Sequence, residues 1–433
     1  MKATIDLDLL HENHTLMDVI RCYPNMQRTQ LAAKLGLSFP TMSSRIKDLT
    51  QKNIIISKND LRINPDYFWM CGISIGGTHT IITLVDAAYH VIDHDRFEQL
   101  CSEHNLFENY KQNIEPTADD TTIGYRCFET PKDRTALAEK LNHAVNEILR
   151  LKKISYEDNN SIPPIISIGI AVSGYVNNAN RIITHSENVP CLDNTNLDLL
   201  LSVNTVEALY ENNISIHLDQ NVKAQAVCDK FSLYHETTMS HEYASSKNIA
   251  SLYLNSGIGC GLIMDNRLIR GTANLNGEIG KIVIPRCPDK INTGSDKKVD
   301  IAYCGHLEDL IIRDFFSEFP ADLDYLTATP QEVLNALDEM GANKQEQMLK
   351  ALGYYLNIII QYLTQLLNVE LIIFSGIFTS LYDHLWLYIQ PDSYNPLQAM
   401  CNRIKSPHGM FSSSIGAAIL SNYAPGTEIR WYD

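Results

Sequence analysis

Residues 252–281, LYLNSGIGCGLIMDNRLIRGTANLNGEIGK, constrain the fold more than any other stretch of this 433-residue chain. The apolar run 249–254 meets Asn255-Ser256-Gly257-Ile258-Gly259-Cys260-Gly261, a second run follows at 262–264, and Asp265-Asn266 turns the chain toward Leu268-Ile269. Short apolar runs punctuated in this way predict two strands joined by a glycine-rich bend, with a turn after the second. Alternate glycines let a backbone approach a ligand closely and leave amides free for phosphate oxygens, although a hairpin of this kind also serves as a plain tight turn.

Upstream, Gly72-Ile73-Ser74-Ile75-Gly76-Gly77-Thr78 reads as a buried strand entering a Gly-Gly-Thr turn, with a second strand ending at Asp86. Downstream stands Gly277-Glu278-Ile279-Gly280-Lys281. This ordered set resembles the ROK family of repressors, open reading frames and sugar kinases, part of the sugar kinase, actin and Hsp70 superfamily. The resemblance runs from Trp69 to the end. It implies an α/β, actin-like (ribonuclease H-like) fold of two lobes, placed at 69–190 and 191–433, with the final helix returning to the first lobe.

At 45% hydrophobic and 20% charged residues, the chain has the composition of a globular protein of two or three domains. Its net charge of −16 argues against a general nucleic-acid coat, yet the balance is uneven. Residues 1–68 carry nine Lys and Arg against seven Asp and Glu, a net of +2, which leaves −18 on the remainder. Such a head can touch DNA through a local patch while the body repels phosphates. Ten scattered cysteines with no C-x-x-C predict reduced thiols. No apolar signal core opens the chain, and its greasiest helix is interrupted by Asn357, Gln361, Thr364 and Gln365. A cytoplasmic protein with no membrane span is expected.

The head, 1–68, predicts a winged helix-turn-helix. Leu16, Val19, Ile20 and Tyr23 share one helical face, and Leu31, Ala32 and Leu35 the next. Gly36-Leu37-Ser38 supplies a turn, with Gly36 suited to the left-handed position and Ser38 to an N-cap. A third helix over 39–52 buries Met42, Ile46 and Leu49 and leaves Ser38, Thr41, Ser43, Ser44, Arg45 and Lys47 as candidate DNA contacts. Two apolar runs, 54–56 and 61–63, flank Lys58-Asn59-Asp60 as a short wing. A three-helix packing module is the alternative. ROK repressors carry such a head in this place, usually with a longer wing, and ROK sugar kinases lack it.

Along the body the pattern predicts a strand pair from 69 to 86 continued by 90–97, an insertion at 101–134, a helix at 136–152 and a buried strand at 165–172. A further strand at 214–218 leads into a helix. After the central stretch come an irregular charged segment at 282–303, a helix from 306, a long helix at 349–367, a strand at 370–374 and a closing helix from Ser412.

The resemblance implies where kinase chemistry should sit, and this sequence departs from it. The carboxylate that organises metal and phosphates in the D-x-G-G-T turn is replaced by Ser74, although Gly76, Gly77 and Thr78 remain. The general base of E-N-D-A-N is replaced by Asn221, with Gln220 and Asp219 before it, and an amide cannot accept a proton in the relevant range. A one-residue slip would instead offer Asp219. Asn255 and Cys260 replace two glycines of the central bend, so Gly257, Gly259 and Gly261 read as a vestigial phosphate loop, and Phe374-Ser375-Gly376 takes the place of the glycines against adenosine. The zinc-binding histidine is replaced by Lys281, leaving Cys287, Cys304 and His306 as a three-ligand remnant or as ordinary residues, and no metal or cofactor is expected.

Hydroxyl contacts fare better. Asn188, in His185-Ser186-Glu187-Asn188-Val189-Pro190, matches the family's sugar-binding asparagine, and Gln220, Asn221 and Glu278 complete a candidate sugar site; a cap or a pair with Lys281 is the plainer role for Glu278. A sugar-responsive repressor of carbohydrate metabolism is expected, catalytically silent, acting as a homodimer or homotetramer on a DNA operator. An active sugar kinase with an accessory head and a ligand-independent repressor are the competing readings.

Overall fold

Seven consecutive buried residues make Trp69–Ile75 a strand covered on both faces, and it is the middle of a five-stranded sheet. In order the strands are Tyr125–Glu129, His79–Asp86, Trp69–Ile75, Ile165–Val172 and Ser215–Gln220. His79–Asp86 runs antiparallel to the central strand, and Ile165–Val172 parallel to it. A second five-stranded sheet orders Arg267–Ile269, Ile258–Met264, Ile249–Leu254, Leu371–Gly376 and Asn402–Lys405. The computed structural model describes residues 5–56, 61–110, 122–157, 162–235, 242–255, 257–290, 303–321, 323, 328, 330–390, 399–424 and 427–432.

Two helices lie between the sheets. The closing helix, Ser412–Leu420, packs on the first sheet and Asn221–His235 on the second, and each packs on the other. Glycines permit that closeness: a Cβ on Gly72 would stand 1.8 Å from the Ser414 carbonyl oxygen, and one on Gly416 1.8 Å from that of Ala224. Both helices are buried nearly all round, so neither carries a one-sided apolar stripe. Arg134–Glu157 covers the outer face of the first sheet through Leu137, Leu141 and Val145. Ala342–Leu367 and Leu307–Asp314 cover the second.

The head consists of helices Leu7–Glu12, His14–Cys22, Arg28–Lys34 and Phe39–Gln51. Gly36 adopts φ +63° in the turn, and Ser38 Oγ accepts from the Thr41 N–H, capping the last helix. An antiparallel bridge joins Ile55 to Ile63, while the wing tip at 57–60 lies outside the described residues. The head shares one apolar core with the body, in which Leu16, Ile20 and Ile46 lie with Phe231 and Trp431. At its centre the wholly buried Arg21 donates to Asp18 (2.7 Å) and to the Ala87 carbonyl (2.8 Å), under the ring of Tyr89.

Several expectations change. His94–His104 is a helix and not a continued strand, because Asp93 caps it and Phe97, Leu100 and Cys101 recur with helical spacing. The third strand comes instead from Tyr125–Glu129, inside the expected insertion, of which 111–121 lie outside the described residues. Within the charged segment, Val283–Pro285 pairs with Cys304–His306. The first sheet also takes in Ser215–Gln220, which follows residue 190 in sequence and pairs in parallel with Ile165–Val172.

Candidate functional site

Three strands of the first sheet and one of the second end, at their carboxyl termini, on one cleft of about 260 Å³. Gly76 follows Trp69–Ile75, Ser173-Gly174-Tyr175 follow Ile165–Val172, Gln220 and Asn221 end and follow Ser215–Gln220, and Asn255 and Gly257 follow Ile249–Leu254. Carboxyl ends of parallel strands, where loops diverge, are where α/β sheets place ligands.

The four residues expected to hold a sugar all line this cleft. Gln220 Nε2 donates to Glu278 Oε1 at 2.6 Å, which ties the first sheet to the loop after the glycine hairpin. Burial pushes the Glu278 carboxyl upward, against the opposing pull of the Gln220 amide. Asn188 Nδ2 donates to Ser173 Oγ at 2.8 Å. Asn221 opens its helix, and its Oδ1 accepts from the Val222 N–H at 2.9 Å. Asp219 is not among the lining residues; Arg270 binds it at 2.7 Å and its backbone neighbour Gln220 donates to it at 2.8 Å. Asp219 is thus ion-paired and outside the cleft lining, whereas Asn221 is part of that lining.

Sequence reasoning missed the charged clasp at the rim. Lys281 bonds Glu187, beside Asn188, and Glu308, in the helix Leu307–Asp314, and not Glu278 three residues before it. Burial works against the ammonium, but the two carboxylates outweigh it and raise its pKa. No local signal could pair residues 94 apart in sequence.

The glycines of the central bend divide by role. A Cβ on Gly261 would stand 2.2 Å from the Val222 carbonyl oxygen and one on Gly259 2.6 Å from Val222 Cγ1, so both admit the helix Asn221–His235 to the sheet. A Cβ on Gly257 would stand 3.0 Å from Asn188 Nδ2. Gly257 and Gly259 also line the cleft, whereas Gly261 does not. In the Gly-Gly-Thr turn, Gly76 N donates to the His79 carbonyl at 3.0 Å, and Lys132 donates to the Gly77 carbonyl. Thr78 Oγ1 lies 3.2 Å from His79 Nδ1. Ser74 is buried within the central strand, and Phe374 and Ser375 are buried, Ser375 bonding the Gly409 carbonyl at 2.7 Å.

Among the described residues no three His, Cys, Asp or Glu side chains gather as a metal site. Cys287 is buried in the second lobe, whereas Cys304 and His306 are exposed, His306 Nδ1 lying 2.7 Å from the Lys281 carbonyl oxygen. On the head, Ser38, Thr41, Ser44 and Lys47 are exposed and Arg45 is half-buried. Ser43 is half-buried, and its hydroxyl is enclosed with no hydrogen-bond partner among the described residues. Phe39, the first residue of that helix, was not singled out, yet it is 51% exposed. No helix among the described residues is long and apolar enough to cross a membrane.

Residues 117–423 match the sequence model of the ROK family. The xylose repressor of Staphylococcus xylosus is 23% identical over 279 residues, covering 63% of this chain and 60% of that protein's own length. Among solved structures, a ROK family transcriptional regulator described as a homologue of the E. coli MLC protein matches 96% of this chain and 98% of its own, with TM-score 0.60 and 16% identity. A ROK family glucokinase from Streptomyces griseus, solved with glucose and AMPPNP, matches 82% of this chain and 99% of its own, with TM-score 0.52 and 14% identity. The structural likenesses show the two-lobed actin-like fold. Matched across residues 117–423, with its motifs in order around the cleft, this chain belongs to the ROK family.

Proposed function

We propose that the chain is a sequence-specific DNA-binding transcription regulator of carbohydrate metabolism, whose body binds a sugar or sugar derivative without phosphorylating it. The observation that carries this reading is a single helix that reaches from cleft to head. Asn221 lines the cleft at one end of Asn221–His235, and at the other Tyr234 meets the head's Tyr23 edge to face, 5.4 Å between ring centroids. Phe231, on the same helix, meets Tyr89 at 4.8 Å, and Tyr89 lies under the head's Arg21. Fifteen helical residues span about 22 Å, and the helix is buried from Val222 to Tyr234, so a shift at the cleft is delivered to the head as a rigid displacement. A sugar that favours one arrangement of the lobes tenfold, about 1.4 kcal/mol, then changes DNA occupancy measurably.

The head supplies the reader. Ser38, Thr41, Ser44, Arg45 and Lys47 lie along a capped helix that follows a short helix and a tight turn, the layout of a helix-turn-helix entering the major groove. Paired half-sites call for a dimer. The regulators similar to this chain, by their names, agree with such a role.

Phosphoryl transfer lacks its carboxylates: Ser74 stands where the metal-organising acid belongs, Asn221 where the base belongs, and Asp219 is ion-paired away from the cleft. Selection from a random pool of duplex DNA, together with a coupled ATP-turnover assay over common sugars, tests the proposal. A recurrent symmetrical motif and no sugar-dependent ATP turnover support it. Turnover at an ordinary kinase rate, or no enriched motif, contradicts it.

A further inference from the structure

We infer that the tip of the head's last helix reads thymine by its 5-methyl group, and that Phe39 is the residue that sets this preference. This rests on the DNA-reading role proposed above. Ser38, Phe39, Pro40 and Thr41 are four consecutive exposed residues where the helix Phe39–Gln51 begins. Phe39 is 51% exposed and is not part of the apolar core that the head shares with the body, although Met42, Ile46 and Leu49 of the same helix are wholly buried there. Of the head's described large apolar side chains only Ile56, where the wing begins, is as open.

The chemistry of base reading then narrows what this tip can recognise. Guanine is read bidentately by Arg or Lys and adenine by Asn or Gln, and none of these stands among the four tip residues. The two tip hydroxyls are bonded to each other, Ser38 Oγ to Thr41 Oγ1 at 2.7 Å, and Ser38 Oγ also accepts the Thr41 N–H at 3.3 Å. Pro40 has no N–H to offer. The tip therefore presents apolar surface, the Phe39 ring foremost, and the apolar group that a base edge shows in the major groove is the thymine methyl. The surroundings suit DNA. No acidic residue stands in the first turn, so the partial positive charge of the helix N-terminus is left for a phosphate backbone, and the helix's cations, Arg45 and Lys47, follow about two turns further along.

Selection from random duplex DNA supplies the operator, and replacing its thymines one at a time by deoxyuridine, which lacks only the methyl group, tests the inference by fluorescence anisotropy at fixed salt. The expected result for the full chain is a loss of about fourfold at one symmetry-related position in each half-site, the value of one buried methyl-sized group, and little at the others. Phe39→Ala, which leaves the core untouched, is expected to bind the thymine and deoxyuridine operators alike, and Phe39→Leu to keep part of the difference; thermal unfolding checks that both fold as the wild type does. Wild-type affinity indifferent to deoxyuridine at every position, a motif without thymine, or a penalty that survives Phe39→Ala at full size overturns the inference and leaves the DNA-reading role standing. If no motif is enriched, that role falls and this inference falls with it.

Discussion

Tyr423 donates a 2.9 Å hydrogen bond to Asp18, joining the chain's last segment to the second helix of the head across 405 residues of sequence. Asp18 also pairs with the wholly buried Arg21, so one carboxylate holds the guanidinium and the closing segment together. Breaking a buried pair by neutralising one partner strands the other charge, at about 3–5 kcal/mol. Asp18→Asn should therefore lower the unfolding free energy by about 3 kcal/mol or more in urea titrations. A loss under about 1 kcal/mol would show that head and body do not depend on this link.

The two roles of the central glycines separate by substitution. Gly261→Ala drives a methyl into the Val222 carbonyl and should destabilise the fold by about 1–3 kcal/mol. Gly257→Ala meets only the Asn188 amide, at 3.0 Å, so its melting temperature should stay near wild type while sugar affinity falls. Equal effects on melting would contradict the division.

On the head, Ser44→Ala with Arg45→Ala should weaken binding to a selected operator by about 1–3 kcal/mol per lost base contact, measured by fluorescence anisotropy at fixed salt. Unchanged affinity would mean that another face of Phe39–Gln51 reads the DNA.

Acid should destabilise the protein. Burial holds His217 and His408 down to about 4 and His235 to about 3, from 6.5. Between those values the unfolded chain binds protons that the folded chain refuses, so stability is present near neutral pH and is lost as pH falls from about 6.5 toward 4. Asp229 opposes this: burial raises its carboxyl to about 6, which makes the folded state gain stability as pH falls through 6 toward 4. His14 and His79 are also lowered by burial and Glu278 is raised, so five histidines against two carboxylates predict a lower melting temperature at pH 5 than at pH 7. A flat or rising profile would contradict it.

Local chemistry made much of this legible in the sequence. The cap at Ser38, the turn at Gly36 and the buried stripe of Met42, Ile46 and Leu49 depend on neighbours a few residues away, and the structure holds all of them. The cleft residues Asn188, Gln220, Asn221 and Glu278 were reachable because ordered motifs fix which strand ends they follow. The rest depends on distant partners. Glu187, Lys281 and Glu308 acquire their role only when the lobes bring them together, and Gly259 and Gly261 reveal theirs only once a helix lies against them. The helix His94–His104 was misread because its short amphipathic pattern follows directly on a strand pair, with the signal resting in the Asp93 cap.

The coupling of cleft to head is tested most directly by titrating a selected operator with the full chain in the presence and absence of each free sugar, and repeating the titration with Glu278→Gln. At least one sugar should shift the wild-type operator affinity tenfold or more, about 1.4 kcal/mol, and Glu278→Gln should abolish the shift while leaving sugar-free DNA binding near its original value. Operator affinity indifferent to every sugar, or a shift that survives Glu278→Gln unchanged, would contradict the account.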